Sequence, residues 1–70
     1  MRVYWHGDFP DPRKVGTLME RGTIRHEVMW DGNDQRRSLI PASSLMDVNK
    51  FGQCCAYCAA LRKRGDDAPH

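Results

Sequence analysis

The fold class is decided by residues 15–40, VGTLMERGTIRHEVMWDGNDQRRSLI, which contain short β-like segments separated by turn signals. Ile24, Val28 and Trp30 have the same parity, so in a strand they would line one face. Residues 31–34, DGND, follow at once, and Asp, Gly and Asn tolerate the positive φ that tight turns require. The stretch therefore predicts a strand, then a hairpin, then a further strand.

The rest of the chain adds short segments on both sides of this stretch. A loop is predicted at 7–13, because two prolines, a glycine and two aspartates disfavour regular structure there. A single helical turn is predicted at 41–45, where Pro41 presets φ at its start. The predicted strands lie at residues 2–6, 14–20, 23–31, 35–40 and 46–51. For the last of these a helix is the alternative, because Ser44 and Asp47 have the spacing of a capping box.

The first of these strands alternates apolar and polar-tipped residues. We expect Val3 and Trp5 to face the core, and Tyr4 and His6 to face outward or onto a flanking surface. The direction in which Tyr4 and Trp5 face decides whether each ring could contact a partner protein.

A helix is predicted at the C-terminal end of the chain, over residues 53–64. Three cysteines and a leucine recur there at three- and four-residue spacing and would form an apolar stripe. Cations in the last turn suit the negative end of the helix dipole, and Gly65 is placed as a C-terminal cap. The stripe consists of Cys54, Cys55, Cys58 and Leu61.

Five short strands, one helical turn and a terminal helix predict a mainly β fold. The best match is a small SH3-like barrel of about five strands followed by one C-terminal α-helix. The alternative is a helix packed on an open sheet. We expect a single domain over residues 1–65 and a disordered tail over residues 66–70.

Composition limits the classes of protein that fit. The chain has 70 residues, 40% of them hydrophobic and 29% charged, which predicts one soluble globular domain. A net charge of +2 gives no strong general attraction to nucleic acid or membrane. The 3 cysteines are an odd number and lie within five residues, a poor disulfide framework. We therefore expect a reduced, cytoplasmic protein with no membrane partner.

Several short motifs carry a resemblance to a known family. They are Val3 and Trp5, the VGTL of residues 15–18, Trp30-Asp31, and then Ser38, Pro41 and Leu45. On these residues, segment 3–45 resembles the N-terminal β subdomain of HipA-type toxin kinases and the small separate antitoxins similar to it. The kinase body is absent, and the segment from Gly52 onward has no counterpart. The resemblance implies a β-rich module that docks on a protein and has no chemistry of its own.

Aromatic residues near the first loop are the candidate partner-binding site. Trp5, with Tyr4 and Phe9, could line a groove beside the proline-rich loop, and Arg13 lies at the end of that loop. The alternative for Trp5 is that it fills the core. The predicted function is a small protein-binding module, an inhibitor or antitoxin-like accessory protein of a mobile element.

Nucleic-acid binding is the first alternative function. Cations beside exposed aromatic rings would suit single-stranded nucleic acid, although acidic residues are interleaved among them. The candidate residues are Arg36, Arg37, Arg62, Lys63 and Arg64. Association into a homodimer is a further expectation, because exposed strand edges pair readily.

A metal site is the second alternative. Zinc needs about four ligands, and Cys54, Cys55 and Cys58 could supply them with one histidine, which is His6, His26 or His70. The favoured interpretation is instead that the cysteines pack as small apolar residues, so that no cofactor is expected. A redox pair at Cys55 and Cys58 is a further hypothesis, because a helix N-terminus lowers a thiol pKa.

The sequence contains no catalytic pattern. No spacing ties its serines to its histidines, and it has no Gly-rich phosphate-binding loop. We therefore expect that the protein is not an enzyme.

Overall fold

The computed structural model of the chain describes residues 1–32, 36–65 and 69. The predicted mainly β fold with five strands and a C-terminal helix is confirmed. The strands are β1 (Arg2–Trp5), β2 (Asp11–Glu20), β3 (Arg25–Trp30), β4 (Arg37–Pro41) and β5 (Leu45–Asp47), and the helix is α1 (Ala56–Arg64). Short 3-10 turns occupy Ala42–Ser44 and Val48–Lys50.

The five strands form one antiparallel sheet in the order β4-β3-β2-β1-β5. Strands β2, β3 and β4 follow one another as a meander, whereas β5 returns across the sheet to pair with β1. The sheet is open, with β4 and β5 at its edges, which agrees with the open-sheet alternative. A closed SH3-like barrel is not shown by this order.

Strand β2 begins earlier than the sequence predicts. It starts at Asp11, so the predicted loop at 7–13 ends three residues sooner, and both Pro10 and Pro12 are buried. The reason is a register shift in the pairing with β1, where Tyr4 lies opposite Val15 but the next residue lies opposite Asp11. Such a bulge accommodates a proline without disrupting a regular ladder.

The segment after β4 also differs from its prediction. The helical turn predicted at 41–45 is confirmed as Ala42–Ser44. The strand predicted over 46–51 is wrong in its second half, because it ends at Asp47. The Asp47 carboxylate accepts a hydrogen bond from the Asn49 backbone N–H at 2.9 Å, which turns the chain into the second 3-10 turn.

Both faces of strand β1 are buried, so of the two alternatives predicted for Tyr4, outward or onto a flanking surface, the second agrees with the structure. Val3 is 2% exposed and Tyr4 is 0% exposed, although their side chains point to opposite faces. Tyr4 packs with Val15, Phe51 and Cys58, so the chain segment that leads into α1 covers its face of the sheet. Alternation alone could not reveal this cover.

The predicted core face of β3 is only partly correct. Val28 is 0% exposed, as expected, but Ile24 is 74% exposed because it precedes the first residue of the strand. Trp30 is half-buried, and so is Trp5. The ammonium group of Lys14 lies 5.3 Å from the ring centroid of Trp5 and 5.0 Å from that of Trp30.

Helix α1 begins three residues later than predicted, at Ala56 instead of residue 53. Cys55 is its N-cap, and Gly65 is its C-cap at φ 77°, as predicted, with its N–H bonded to the carbonyl groups of Leu61 and Arg62. Within the part of the chain that the structure describes, this helix is too short and too polar to cross a membrane. Residues 33–34 of the predicted turn, and the predicted tail at 66–70 apart from residue 69, lie outside the described residues.

Candidate metal centre

Four side chains with metal-binding atoms meet where β1 ends and α1 begins. His6 directly follows β1, Cys54 and Cys55 precede α1, and Cys58 lies in its first turn. One potential ligand atom from each residue, three Sγ atoms and an imidazole nitrogen, lies within 4.8 Å of each of the others. The chain therefore brings together a Cys3His ligand set from two distant segments.

The spacing of these atoms suits a tetrahedral ion. Zinc bound to sulfur at about 2.3 Å and to nitrogen at 2.0–2.1 Å separates a sulfur from a nitrogen by about 3.6 Å, and two sulfurs by about 3.8 Å. The Sγ of Cys55 lies 3.4 Å from Nε2 of His6. Because the longest separation is 4.8 Å, side-chain rotations that contract the cluster by about 1 Å would complete the tetrahedron.

The local backbone explains why the sulfurs converge. Gly52 has φ 89°, a conformation that glycine adopts readily, and it turns the chain directly after the buried Phe51. Cys55 is extended, with φ −165° and ψ 167°, and its Sγ accepts a hydrogen bond from the Cys58 backbone N–H at 3.4 Å. The predicted helical stripe of cysteines is therefore wrong for two of its members, since only Cys58 lies within α1.

The burial of the three cysteines bears on whether they bind a metal or pack as small apolar residues. Cys58 is completely buried, as a small apolar core residue would be. Cys54 and Cys55 are only half-buried, and the sulfur of each lies near polar groups. Cys54 and Cys55 nevertheless pack against the buried cluster that contains Cys58. Packing therefore accounts for part of the environment of all three cysteines, whereas a shared metal ion would also account for the approach of His6 to the sulfurs.

Tyr4 supplies the nearest polar group outside the ligand set. Its hydroxyl oxygen lies 3.1 Å from Sγ of Cys54 and 3.4 Å from Sγ of Cys58. A thiolate can only accept hydrogen bonds, so toward ionised cysteines the hydroxyl is the donor. Burial raises the pKa of Tyr4 far above its usual range, and the hydroxyl therefore keeps its proton.

The electrostatic environment differs among the three thiols. Burial raises the pKa of Cys54, but hydrogen bonds from Tyr4 and from neighbouring groups outweigh it, so that the net pKa is lowered. The backbone N–H of Cys58 lowers the pKa of Cys55. Burial raises the pKa of Cys58 to about 12, so this thiol ionises at neutral pH only if a cation replaces its proton.

The contact made by Tyr4 leads to a prediction. In Tyr4→Phe, the ring keeps its packing while the donor to two sulfur ligands is lost. We expect zinc affinity to fall by about 10–100-fold, the usual effect of removing a group that hydrogen-bonds a metal ligand. Competition with a chromophoric chelator measures the affinity. Tyr57→Phe is the matched control, because Tyr57 is 51% exposed on α1; equal affinities of the two variants would contradict the assignment.

Of the residues predicted to bind a partner, Tyr4 lies beside the cysteines. Tyr4 is completely buried and therefore unavailable to line an exposed groove, which corrects its assignment. Phe9 is 80% exposed, Arg13 is exposed and Trp5 is half-buried, so docking at these three residues stays a prediction.

The residues proposed for nucleic-acid binding are all at the surface. Arg37 forms an ion pair with Glu27 at 3.0 Å, on the sheet edge. The remaining four, Arg36, Arg62, Lys63 and Arg64, are exposed. Nucleic-acid binding through this set stays a prediction.

Of the two histidines that the structure describes, His6 is the one that lies with the cysteines. Nδ1 of His26 accepts a hydrogen bond from the Gly22 backbone N–H at 3.1 Å, away from the cysteines, and His70 lies outside the described residues. His6 and Cys55 are 49 residues apart, so no short-range spacing signal links them. Tyr4 was missed as a neighbour of the sulfurs because no motif marks an outer hydrogen-bond donor.

Comparison with known proteins yields no match, whether to a protein-family model, to a curated protein or to a solved structure. The fold and the site together define a small mainly β protein with a Cys3His cluster beneath its terminal helix.

Proposed function

We propose that the chain is a small non-enzymatic module stabilised by one zinc ion, bound by His6, Cys54, Cys55 and Cys58. The observation that carries this proposal is the convergence of four ligand atoms within 4.8 Å of one another. Three thiolates and an imidazole form a ligand set that favours zinc over the hard cations, which prefer oxygen.

The proposed role of the metal is structural. Four protein ligands fill a tetrahedral shell, whereas catalytic zinc sites keep a position open for water. The ligands come from the end of β1 and from residues 54–58, which lead into α1. The ion would therefore fasten the C-terminal helix to the sheet.

The small hydrophobic core supports the need for a metal that links α1 to the sheet. Domains of this length bury a smaller share of their unfolded surface than larger domains do, and they often require a metal or a disulfide. Among the described residues, the buried hydrophobic side chains are Val3, Tyr4, Val15, Val28, Phe51 and Cys58. Four of these six lie in the one cluster that includes the proposed ligand Cys58, and they are Tyr4, Val15, Phe51 and Cys58.

Native mass spectrometry of untagged protein, purified with zinc and without chelator, tests the proposal. We expect one zinc per chain. His6→Ala is expected to weaken zinc binding by at least about tenfold, because it removes one of four ligands. His26→Ala is the matched control and is expected to bind zinc like the native chain. A native chain without zinc, or equal affinities of the two histidine variants, would overturn the assignment.

A further inference from the structure

We propose that a peroxide oxidises Cys55 and Cys58 to a disulfide, expels the zinc and thereby detaches α1 from β1. The inference rests on the proposed zinc site and assigns that site a form of redox regulation. Its basis is the placement of all three cysteines on one short segment, while the fourth ligand, His6, lies on another.

The position of Cys55 relative to Cys58 favours this pair. Cys55 caps α1 and Cys58 lies three residues on, and side chains at this spacing at the start of a helix are neighbours. The Sγ of Cys55 already lies 3.4 Å from the backbone nitrogen of Cys58. Cys54 and Cys55 are a poor pair, because adjacent Cα atoms are 3.8 Å apart and disulfides usually need about 4.4–6.8 Å.

Exposure sets the order of the reaction. Cys55 is half-buried, so a small oxidant can reach its sulfur, whereas Cys58 is completely buried. The Cys55 thiolate attacks the peroxide and becomes a sulfenic acid as the O–O bond breaks. The Cys58 thiolate then attacks the Cys55 sulfur, the S–O bond breaks, and hydroxide leaves.

The electrons and atoms balance with hydrogen peroxide as the oxidant. Two thiolates lose two electrons and form one S–S bond, while hydrogen peroxide takes two electrons and two protons and leaves as two water molecules. Only Cys54 and His6 then remain as ligands, which is too few for a stable zinc site, so the ion dissociates.

The topology makes oxidation different from metal binding. Every disulfide that these three cysteines can form lies within residues 54–58 and contains no residue of the sheet. The zinc ion, in contrast, joins this segment to His6 at the end of β1. Oxidation therefore replaces the zinc link between α1 and the sheet with a disulfide inside residues 54–58, which does not include the sheet.

The test treats the native zinc-loaded protein with hydrogen peroxide in the presence of a chromophoric chelator. We expect one zinc released for each disulfide formed, and peptide mapping is expected to place that disulfide between Cys55 and Cys58. Mapping also separates this product from oxidised methionine, of which the chain has 4. Dithiothreitol with added zinc is expected to restore the metal-bound form.

Three results would overturn the inference. The first is that zinc stays bound after peroxide has oxidised the accessible thiols. The second is a mapped disulfide between Cys54 and Cys58. The third is a failure of dithiothreitol with added zinc to restore zinc binding. Zinc content measured before oxidation separates the two proposals. A chain that never holds zinc contradicts both, whereas a chain that holds zinc and keeps it under peroxide contradicts the redox proposal alone.

Discussion

Removal of zinc from the native protein is expected to lower its free energy of unfolding by about 3 kcal/mol or more when the starting free zinc concentration is at least 100 times the dissociation constant. The reason is that the proposed set of four ligands is complete only in the folded chain, where His6 meets the three cysteines, so the binding energy gained from the fourth ligand adds to folding. The total free energy of unfolding of a small domain is only about 5 kcal/mol or a little more. Chelation is therefore expected to melt at least the α1 end of the molecule.

Thermal melts with and without a chelator measure this effect, with circular dichroism for helix content and amide hydrogen exchange for local detachment. Cys58→Ser is the matched variant, since it removes a ligand and should make stability insensitive to the chelator. Its own melting temperature is expected to lie at or below that of the chelated native chain, because Cys58 is also a completely buried core residue. An unchanged melting temperature of the native protein after zinc removal would contradict a structural role for the metal.

Truncation of Phe51 is expected to have the next largest effect. Phe51 is 7% exposed and meets the Tyr4 ring edge to face, with centroids 5.8 Å apart. In Phe51→Ala, the lost burial and the cavity beneath α1 are expected to cost about 3–5 kcal/mol, as is usual for a buried phenylalanine. We also expect weaker zinc binding, because the void removes the packing that holds the Tyr4 hydroxyl beside the two sulfurs.

Phe9→Ala is the control for that experiment, as the same substitution at a side chain that is 80% exposed. Its free energy of unfolding is expected to stay within about 0.5 kcal/mol of the native value. Urea unfolding of the zinc-loaded proteins gives the free energy of unfolding of both variants, provided that the dependence of this free energy on urea concentration is the same as in the native chain. Similar losses for the two variants would show that Phe51 does not anchor the segment before α1.

Local patterns in the sequence were enough to predict the meander of β2, β3 and β4. Alternation placed Val28 in the core, and Pro41 marked the 3-10 turn after β4. These features depend on residues that are close in the chain. The same reasoning failed for Ile24, because a strand boundary shifted by one or two residues changes whether a side chain has neighbours.

The candidate site depended on information that local patterns do not contain. Helical periodicity grouped the three cysteines as a stripe, but the turn at Gly52 and the later start of α1 place two of them outside the helix. Alternation left open whether Tyr4 faces solvent or a flanking surface, because it separates the two faces of a strand without showing whether both are covered. The choice of His6 required the tertiary position of β1, which only the folded sheet supplies.

Strand β1 comes first of the five strands in the chain, but its pairing on both sides requires segments that are far apart in sequence. Its partner β2 follows it closely, but its other partner, β5, and its proposed cysteine ligands lie at the far end of the sequence. A nascent chain can therefore form the meander while its C-terminal part is still inside the ribosome, but it cannot close the site around His6. Closing a loop of 49 residues removes about 4 kcal/mol of chain entropy from the unfolded state if the link acts like a covalent crosslink. The proposed site can therefore close only after residues 54–58 have been synthesised and have reached the end of β1.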